Sequence, residues 1–439
     1  MDVLMVDFDT AGQTAIQLAD EFARAHGCDI TIIRDLLGRN AFAIEGKLVP
    51  DKLCQDLGEG ISKQCNPFVA PHPVIRIESM VAPELVLSSP DRKLLPEQLA
   101  QSGRVYLLER TAVGADWVRR PTVPSKTRIA LYGFKGGVGR STAAYMLARE
   151  FSRCGQVVLV VDLDLESPGI SSLLVPTMEF ADYGVVDHLV TAPVDLNPNL
   201  DIVTRAEISS SGNGEVWLAA AGGRTRAGYH YIEKLSRIYI DIPDSAGSKS
   251  MTFAERLENS IQYCERQVSE KSRQPDVVLL DSRAGIHDIA AIAITQLSTF
   301  ALLFATDNRQ TWEGYRELFR QWQVRLDPQH LSQVRERLQV VASMVPSRGR
   351  EDYLARFRDS AQDCFADTLY DSVDAADSDA FSFSVSDESA PHYPFPILHS
   401  MDLVGIESSS ELLGSDLVDA AYSQFLTSVL RMATETTNQ

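Results

Sequence analysis

The spacing of apolar and polar positions changes character near residue 127. Ahead of that point the runs are short and mixed. DVLMVDF (residues 2–8) alternates like a strand, AGQTAIQLADEFARAHG has the period of an amphipathic helix ending at Gly27, and DITIIRDLLGRNAFAIEG reads as a hairpin turning at Gly38. PVIRIES and RVYLLER add two strand-like runs. Residues 1–125 therefore predict a small α+β domain, a candidate partner-binding or sensing module. RRPTVPSK (Arg119–Lys126), with two prolines and polar neighbours, predicts the linker that follows it.

Beyond Thr127, near-continuous apolar runs alternate with helical ones. RIALYGF, VVLVVDLD, DVVLLDSRAG, FALLFATD and LQVVASMVPS are of the kind buried on both faces of a parallel sheet. STAAYMLAREFSRCG, GIHDIAAIAITQL and RQTWEGYRELFRQWQVRL have helical spacing, and a long mixed insertion follows VVLVVDLD. The fold class expected for residues 126–439 is α/β, a doubly wound, mostly parallel sheet. Residues 207–230, rich in Ser, Gly and Ala, and the acidic, serine-rich run Asp371–Glu388 are expected to be surface loops.

The most specific chemistry lies in GFKGGVGRSTAAYMLARE (Gly133–Glu150), a glycine-rich turn between a buried strand and a helix. Such a turn exposes successive backbone N–H groups, and the helix N-terminus adds partial positive charge, so together they suit phosphate. Gly136, Gly137, Val138 and Gly139 form the turn, with the glycines supplying its conformational freedom. Ser141 offers a hydroxyl to Mg²⁺, and Thr142 stands beside it for the α-phosphate. Arg140 takes the place where such loops carry lysine. It keeps a permanent charge but presents a wider, planar fork. On the next strand Asp162 and Asp164 end an apolar run, where they either serve a ligand at the sheet's carboxyl edge or cap the following turn.

Composition narrows the reading. The 439 residues are 44% hydrophobic and 23% charged, with a formal net charge of -19. That charge argues against a general nucleic-acid binder, because phosphate backbones are gripped by clustered Lys and Arg. No apolar run approaches the roughly 20 residues that span a bilayer, and the acidic N-terminus does not read as a signal peptide. The scattered Cys28, Cys54, Cys65, Cys154, Cys264 and Cys364 form no metal-ligand spacing, which favours reduced thiols in a cytoplasmic protein.

The sequence K-G-G-V-G-R-S, with Lys135 ahead of the glycines, resembles the deviant Walker A loop of the ParA/MinD family of dimeric P-loop ATPases. Its spelling is similar to a branch in which arginine is the rule. The resemblance covers residues 127–310 well, the C-terminal part weakly and the first 125 residues not at all. It implies a ParA/MinD-like P-loop fold with ATP and Mg²⁺ as cofactors. Lys135 matches the lysine that reaches the partner's phosphates across a dimer interface, and Arg140 matches the ordinary P-loop lysine. Asp164 matches the aspartate that orients or activates the attacking water, and Asp162 the one nearer the magnesium shell. Asp281 matches the Walker B residue that holds Mg²⁺ through water, and Gly285 the glycine whose amide senses the γ-phosphate.

Departures from the family pattern follow Asp281, where Ser282, Arg283 and Ala284 replace a threonine and prolines. Arg283 contacts phosphate, a switch carboxylate or a partner subunit, or is a surface arginine; the sequence leaves these open. Asp307, Asn308 and Arg309 either line the site or serve a turn. Only Ser343 or Ser347 stands where relatives carry a base-contacting asparagine, which leaves ATP against GTP open, and HYPFPILHS resembles the proline-bearing strand near the family's base pocket.

As output, the resemblance implies an ATP-dependent homodimer that hydrolyses ATP slowly and controls other proteins, including in bacterial defence-type systems. The alternatives are a non-hydrolysing ATP-held scaffold, a DNA-partitioning ATPase and a kinase. The acidic tail LGSDLVDAAYSQFLTSVLRMATETTNQ suits no anionic membrane surface, and its single Tyr422 argues against a kinase tail.

Overall fold

The computed structural model describes residues 6–46, 49–89, 91–95, 103–111, 114–119, 121–124, 126–195, 198–208, 212–243, 250–372, 380–400 and 416–437. The chain divides into two compact units, Met1–Ala115 and Asp116–Gln439.

In the first unit, α1 (Phe8–His26) opens on a reciprocal cap between Asp7 and Thr10 and closes at Gly27, whose φ of 62° only glycine adopts readily. The strands β1 (Asp29–Arg34) and β2 (Asn40–Glu45) form the expected antiparallel hairpin. Then come α2 (Asp51–Cys65), β3 (Val69–Arg76), the short α3 (Glu84–Leu87), β4 (Arg92–Leu94) and β5 (Val105–Glu109). The sheet order is β3-β2-β1-β5-β4, with β1 parallel to β5. The four-residue spacing of Ala11, Ala15, Ala19 and Ala23 lays a flat face of α1 on Ile30, Ile32, Phe42 and Ile44. The strand expected over residues 2–8 falls mostly outside the described residues, and Phe8 already belongs to α1.

The second unit carries β6 (Arg128–Gly133), α4 (Arg140–Arg153), β7 (Val157–Leu163), α5 (Ile170–Leu174), α6 (Val185–Thr191), β8 (Val203–Ala206), β9 (Glu215–Ala219) and α7 (Tyr231–Leu235). A two-residue ribbon of β10 (Ile242–Pro243) and β11 (Ser250–Met251) leads into α8 (Phe253–Lys271) and β12 (Val277–Ser282). The unit ends with α9 (Asp288–Ile292), β13 (Phe300–Ala305), α10 (Arg309–Arg325), α11 (Pro328–Arg335), β14 (Leu338–Val345), α12 (Arg350–Ala366), β15 (Phe395–Leu398) and α13 (Asp416–Thr437).

Its eight strands run β15-β14-β13-β6-β12-β7-β9-β8, all parallel except the outermost β8. Separate apolar clusters cover the two faces, as the unbroken apolar runs require. β6, which leads into the glycine turn, lies between β13 and β12, so the loop opens at a crevice where strand order reverses.

Three expectations need correction. The mixed run after β7 is no mere insertion, since it adds β8 and β9 to the sheet. Within the run expected as a surface loop, Trp217 packs into one face cluster while Val216 and Leu218 pack into the other. That double-sided burial hides a strand behind a Ser/Gly-rich flank. Gly214 is needed there because a Cβ would meet the Ser152 carbonyl oxygen at 1.9 Å. The described residues of the Arg119–Lys126 segment, expected as the linker, are bonded within the second unit. Arg119 pairs with Asp116 and Asp241 at 3.0 Å each, Thr122 Oγ1 donates to the Gln296 carbonyl, and Lys126 pairs with Glu265 at 2.8 Å. Of the acidic run Asp371–Glu388, residues 373–379 lie outside the described residues, while Phe381 and Phe383 pack on Tyr370.

The C-terminal helix buries Tyr422, Phe425, Val429 and Ala433 in the cluster shared with α4 and β15, so its apolar face is used inside the fold. No described helix is long and apolar enough to cross a membrane.

Candidate functional site

The expected site residues stand at and just beyond the ends of β7 and β12, in the first turn of α4, or on the turn between β6 and α4, which includes Lys135. That turn begins at Gly133, where a Cβ would sit 2.9 Å from Val138 and 3.2 Å from Arg140. Gly137 and Gly139 take φ of 73° and 78°, which bring the chain round into the first turn of α4. Nothing lies within 4 Å of a Cβ built on Gly136, Gly137 or Gly139, so the backbone of the turn faces open space. Val138 is buried and anchors the turn from below, while Thr142 remains partly exposed.

Ser141 Oγ donates to Asp281 Oδ2 at 2.6 Å, joining the first turn of α4 to the end of β12. The other oxygen, Asp281 Oδ1, is buried without a hydrogen-bond partner. Such an orphan has a use if a cation completes it. A serine hydroxyl with one carboxylate is the hard-oxygen set Mg²⁺ takes when phosphates and water fill its remaining positions, so the residues fit that ion. Asp162 stands directly opposite Asp281 in the β12–β7 register. Burial and the facing carboxylate raise the Asp162 pKa to about 7, and burial raises that of Asp281 to about 6 against the pull of Arg140. Asp162 is already engaged: Oδ2 accepts from Ser171 Oγ at 2.6 Å and Ser171 N at 3.2 Å, and Oδ1 from Asp164 N at 3.1 Å. It therefore caps the turn into α5.

Arg140 is 8% exposed, and its fork turns inward. Nη1 donates to the Ser282 carbonyl and Nη2 lies 3.5 Å from Asp164 Oδ2. Asp164 Oδ1 has no partner. Burial raises the Asp164 pKa, while Arg140 and Arg283 oppose the shift. Lys135 Nζ donates to Asn308 Oδ1 at 3.4 Å. Asn308 also caps α10 by accepting from Thr311 N at 2.9 Å. Asp307 accepts from Trp312 Nε1 at 3.3 Å, and the exposed Arg309 pairs with Glu313, so this segment is turn and cap chemistry. Gly285, at φ 80°, donates its N–H to the Gly133 carbonyl at 3.2 Å, tying the end of β12 to the base of the loop. Ser343 Oγ is buried without a partner, and Ser347 is exposed.

Arg283 pairs with Glu166 at 2.8 Å. Glu166 also accepts from the Tyr239 hydroxyl and lies 3.7 Å from His287 Nε2, while Tyr231 donates to the Leu165 carbonyl at 2.6 Å. Reading the chain does not reach these partners. A local signal existed for Glu166, because acids recur at 162, 164 and 166 across the end of β7 and the turn that follows it. None existed for Tyr231 and Tyr239, which meet that segment from far along the chain.

Residues 126–189, spanning the loop and the first carboxylate strand, match a family model described as an AAA domain. The match takes in β6, the glycine turn, α4 and β7 of the second unit. Three solved structures show likeness to the chain. The MinD cell division protein of Aquifex aeolicus is 16% identical, covering 69% of this chain and 97% of its own, with a TM-score of 0.40. A ParA family ATPase from Chlorobium tepidum TLS is 14% identical over 70% and 99%, with a TM-score of 0.39. The pNOB8 ParA bound to nonspecific DNA is 12% identical over 71% and 99%, with a TM-score of 0.42. No curated protein matches the chain by sequence.

Proposed function

We propose that the ParA/MinD-like unit binds ATP with Mg²⁺ on the Gly136–Thr142 turn, hydrolyses it slowly, and uses the bound nucleotide to hold two copies of the chain together and so control other proteins. The observation that carries this reading is the Ser141–Asp281 hydrogen bond of 2.6 Å beside the orphaned Asp281 Oδ1. When bound, Mg²⁺ supplies charge neutralisation between the phosphates. The chain's own part is positional. The open turn offers N–H groups, Ser141 and Asp281 offer oxygens, Asp164 presents a carboxylate to a water, and Lys135, loosely held by Asn308, is free to exchange that partner for phosphate. Residues 1–115 pack around a sheet of their own and are assigned the partner-binding or sensing role. The net charge of -19 opposes DNA as the partner.

A second reading, a nucleotide-held scaffold that does not hydrolyse, is favoured by one observation. Arg140 is committed to Ser282 and Asp164 rather than presented to the turn.

Solution mass by light scattering, with phosphate release measured alongside in ATP, ADP and no nucleotide, tests both. The switch predicts a doubled mass in ATP with slow release. A doubled mass without release selects the scaffold. Neither response overturns both.

A further inference from the structure

We propose that Arg283 is a ligand for the terminal phosphate of the bound nucleotide, held in reserve by Glu166. This rests on the ATP-binding reading above and deepens it. Arg283 lies two residues beyond Asp281, in the short turn that runs to Gly285, and Gly285 N–H is bonded to the strand end from which the phosphate turn starts. It is thus carried on the same few residues that tie β12 to the loop.

Its present partner is replaceable. The Arg283–Glu166 pair spans 2.8 Å without hydrogen-bond geometry at the buried Glu166 Oε2, and the arginine side chain keeps 34% of its surface open, so the contact is a loose one at the arginine end. Arg140, by contrast, is 8% open and committed to Ser282 and Asp164. Phosphate carries more charge than a carboxylate and matches the guanidinium fork, so it competes well for the arginine.

Glu166 does not depend on Arg283 to stay in place. The Tyr239 hydroxyl donates to Oε1, and His287 stands 3.7 Å from the same oxygen, with its ring 5.2 Å from that of Tyr239. When Arg283 leaves, the glutamate remains seated. The pair therefore acts as a parking position for the arginine.

The test measures affinities of the full chain for MgATP and MgADP by titration calorimetry, in the unaltered protein, R283Q, R283K and E166Q. R283Q is expected to weaken ATP about tenfold or more and leave ADP within about twofold, because only ATP offers the terminal phosphate. R283K recovers part of the loss. E166Q releases the arginine and tightens ATP by about fivefold, again sparing ADP. If R283Q shifts ATP and ADP equally, or shifts neither, Arg283 is a structural tie and the proposal falls while ATP binding stands. If the unaltered protein itself binds neither nucleotide, the underlying reading falls and the proposal with it. Should E166Q not fold, the half-open Arg283 variants decide alone.

Discussion

Asp281 and Asp162 face each other across the register of β12 and β7, both buried, with raised pKa values. Two carboxylates this close strain each other in the absence of a cation, and a bound Mg²⁺ would relieve that strain. Asp281→Asn removes one charge while keeping a group able to bond Ser141. The nucleotide-free protein should then be more stable, by about 1 kcal/mol or a few degrees in Tm. The further stabilisation given by MgATP should fall at least about tenfold in effective affinity. Thermal melts with and without MgATP check both signs.

Arg140 holds Ser282 and Asp164 with a planar fork, a geometry lysine cannot copy. Arg140→Lys should lower the stability of the nucleotide-free protein by about 1–2 kcal/mol through the lost bonds. Nucleotide affinity should hold or rise, since a single ammonium keeps the charge and is more easily turned towards phosphate. Urea denaturation and nucleotide titration separate the two effects. Loss of both stability and binding would show that the inward pose is the one the nucleotide needs.

The parts of this site that were legible in the sequence are those whose chemistry is local. Ser141 and Asp281 each end or begin an element at a fixed place in a strand–turn–helix unit, so their meeting at 2.6 Å follows from the fold class. The near-continuous apolar runs likewise marked the parallel core strands. What stayed hidden depends on long-range placement. Strand β9 is short, sits in a Ser/Gly-rich flank, and is recognisable only once both its faces are seen buried. The Tyr239–Glu166 bond joins residues 73 apart, and no periodicity encodes it. Arg140 shows a third limit. Its charge was legible, but the inward direction of its fork depends on a carbonyl that β12 delivers.

Among the described residues the Lys135 ammonium bonds Asn308, at 3.4 Å, a bond too long to matter much to the monomer. Lys135→Ala should therefore leave monomer stability within about 0.5 kcal/mol. If the lysine serves a partner's phosphates, ATP-dependent self-association should weaken by about tenfold or more while nucleotide binding by the monomer persists. Light scattering across protein concentrations, paired with nucleotide titration at low concentration, reads the two separately.

Gly314 on α10 lets Phe134 lie flat against the helix, since a Cβ there would stand 2.3 Å from the ring. Phe134 directly precedes Lys135 and the glycine turn. Gly314→Ala should push the ring away, at about 1–3 kcal/mol of stability, despite alanine's better helix propensity. The shift should also lower nucleotide affinity, although Gly314 contributes no side chain to the site. A stabilised variant with normal binding would mean that the ring moves without disturbing the turn.

His188 is 4% exposed, and its Nδ1 lies 2.8 Å from Ser260 Oγ. Ser260 in turn donates to the Arg256 carbonyl at 3.0 Å, so Nδ1 is the nitrogen that carries a proton. Burial, with a smaller push from Arg266, lowers its pKa from 6.5 to about 4. The folded value lies below the unfolded one, so the unfolded chain binds the extra proton between these limits. Stability from this residue is thus complete above pH 6.5, falls as the pH drops through that window, and is flat below about 4. With allowance for partial solvent access, the loss amounts to roughly 2 kcal/mol. His188→Asn keeps a donor near Nδ1 and cannot charge, so it should flatten that part of the profile. Subtracting its urea-melt stabilities from those of the unaltered protein at each pH isolates the residue from the buried carboxylates, whose raised pKa values act in the opposite direction. A difference that stays constant between pH 6.5 and 4 would place the acid sensitivity of the fold elsewhere.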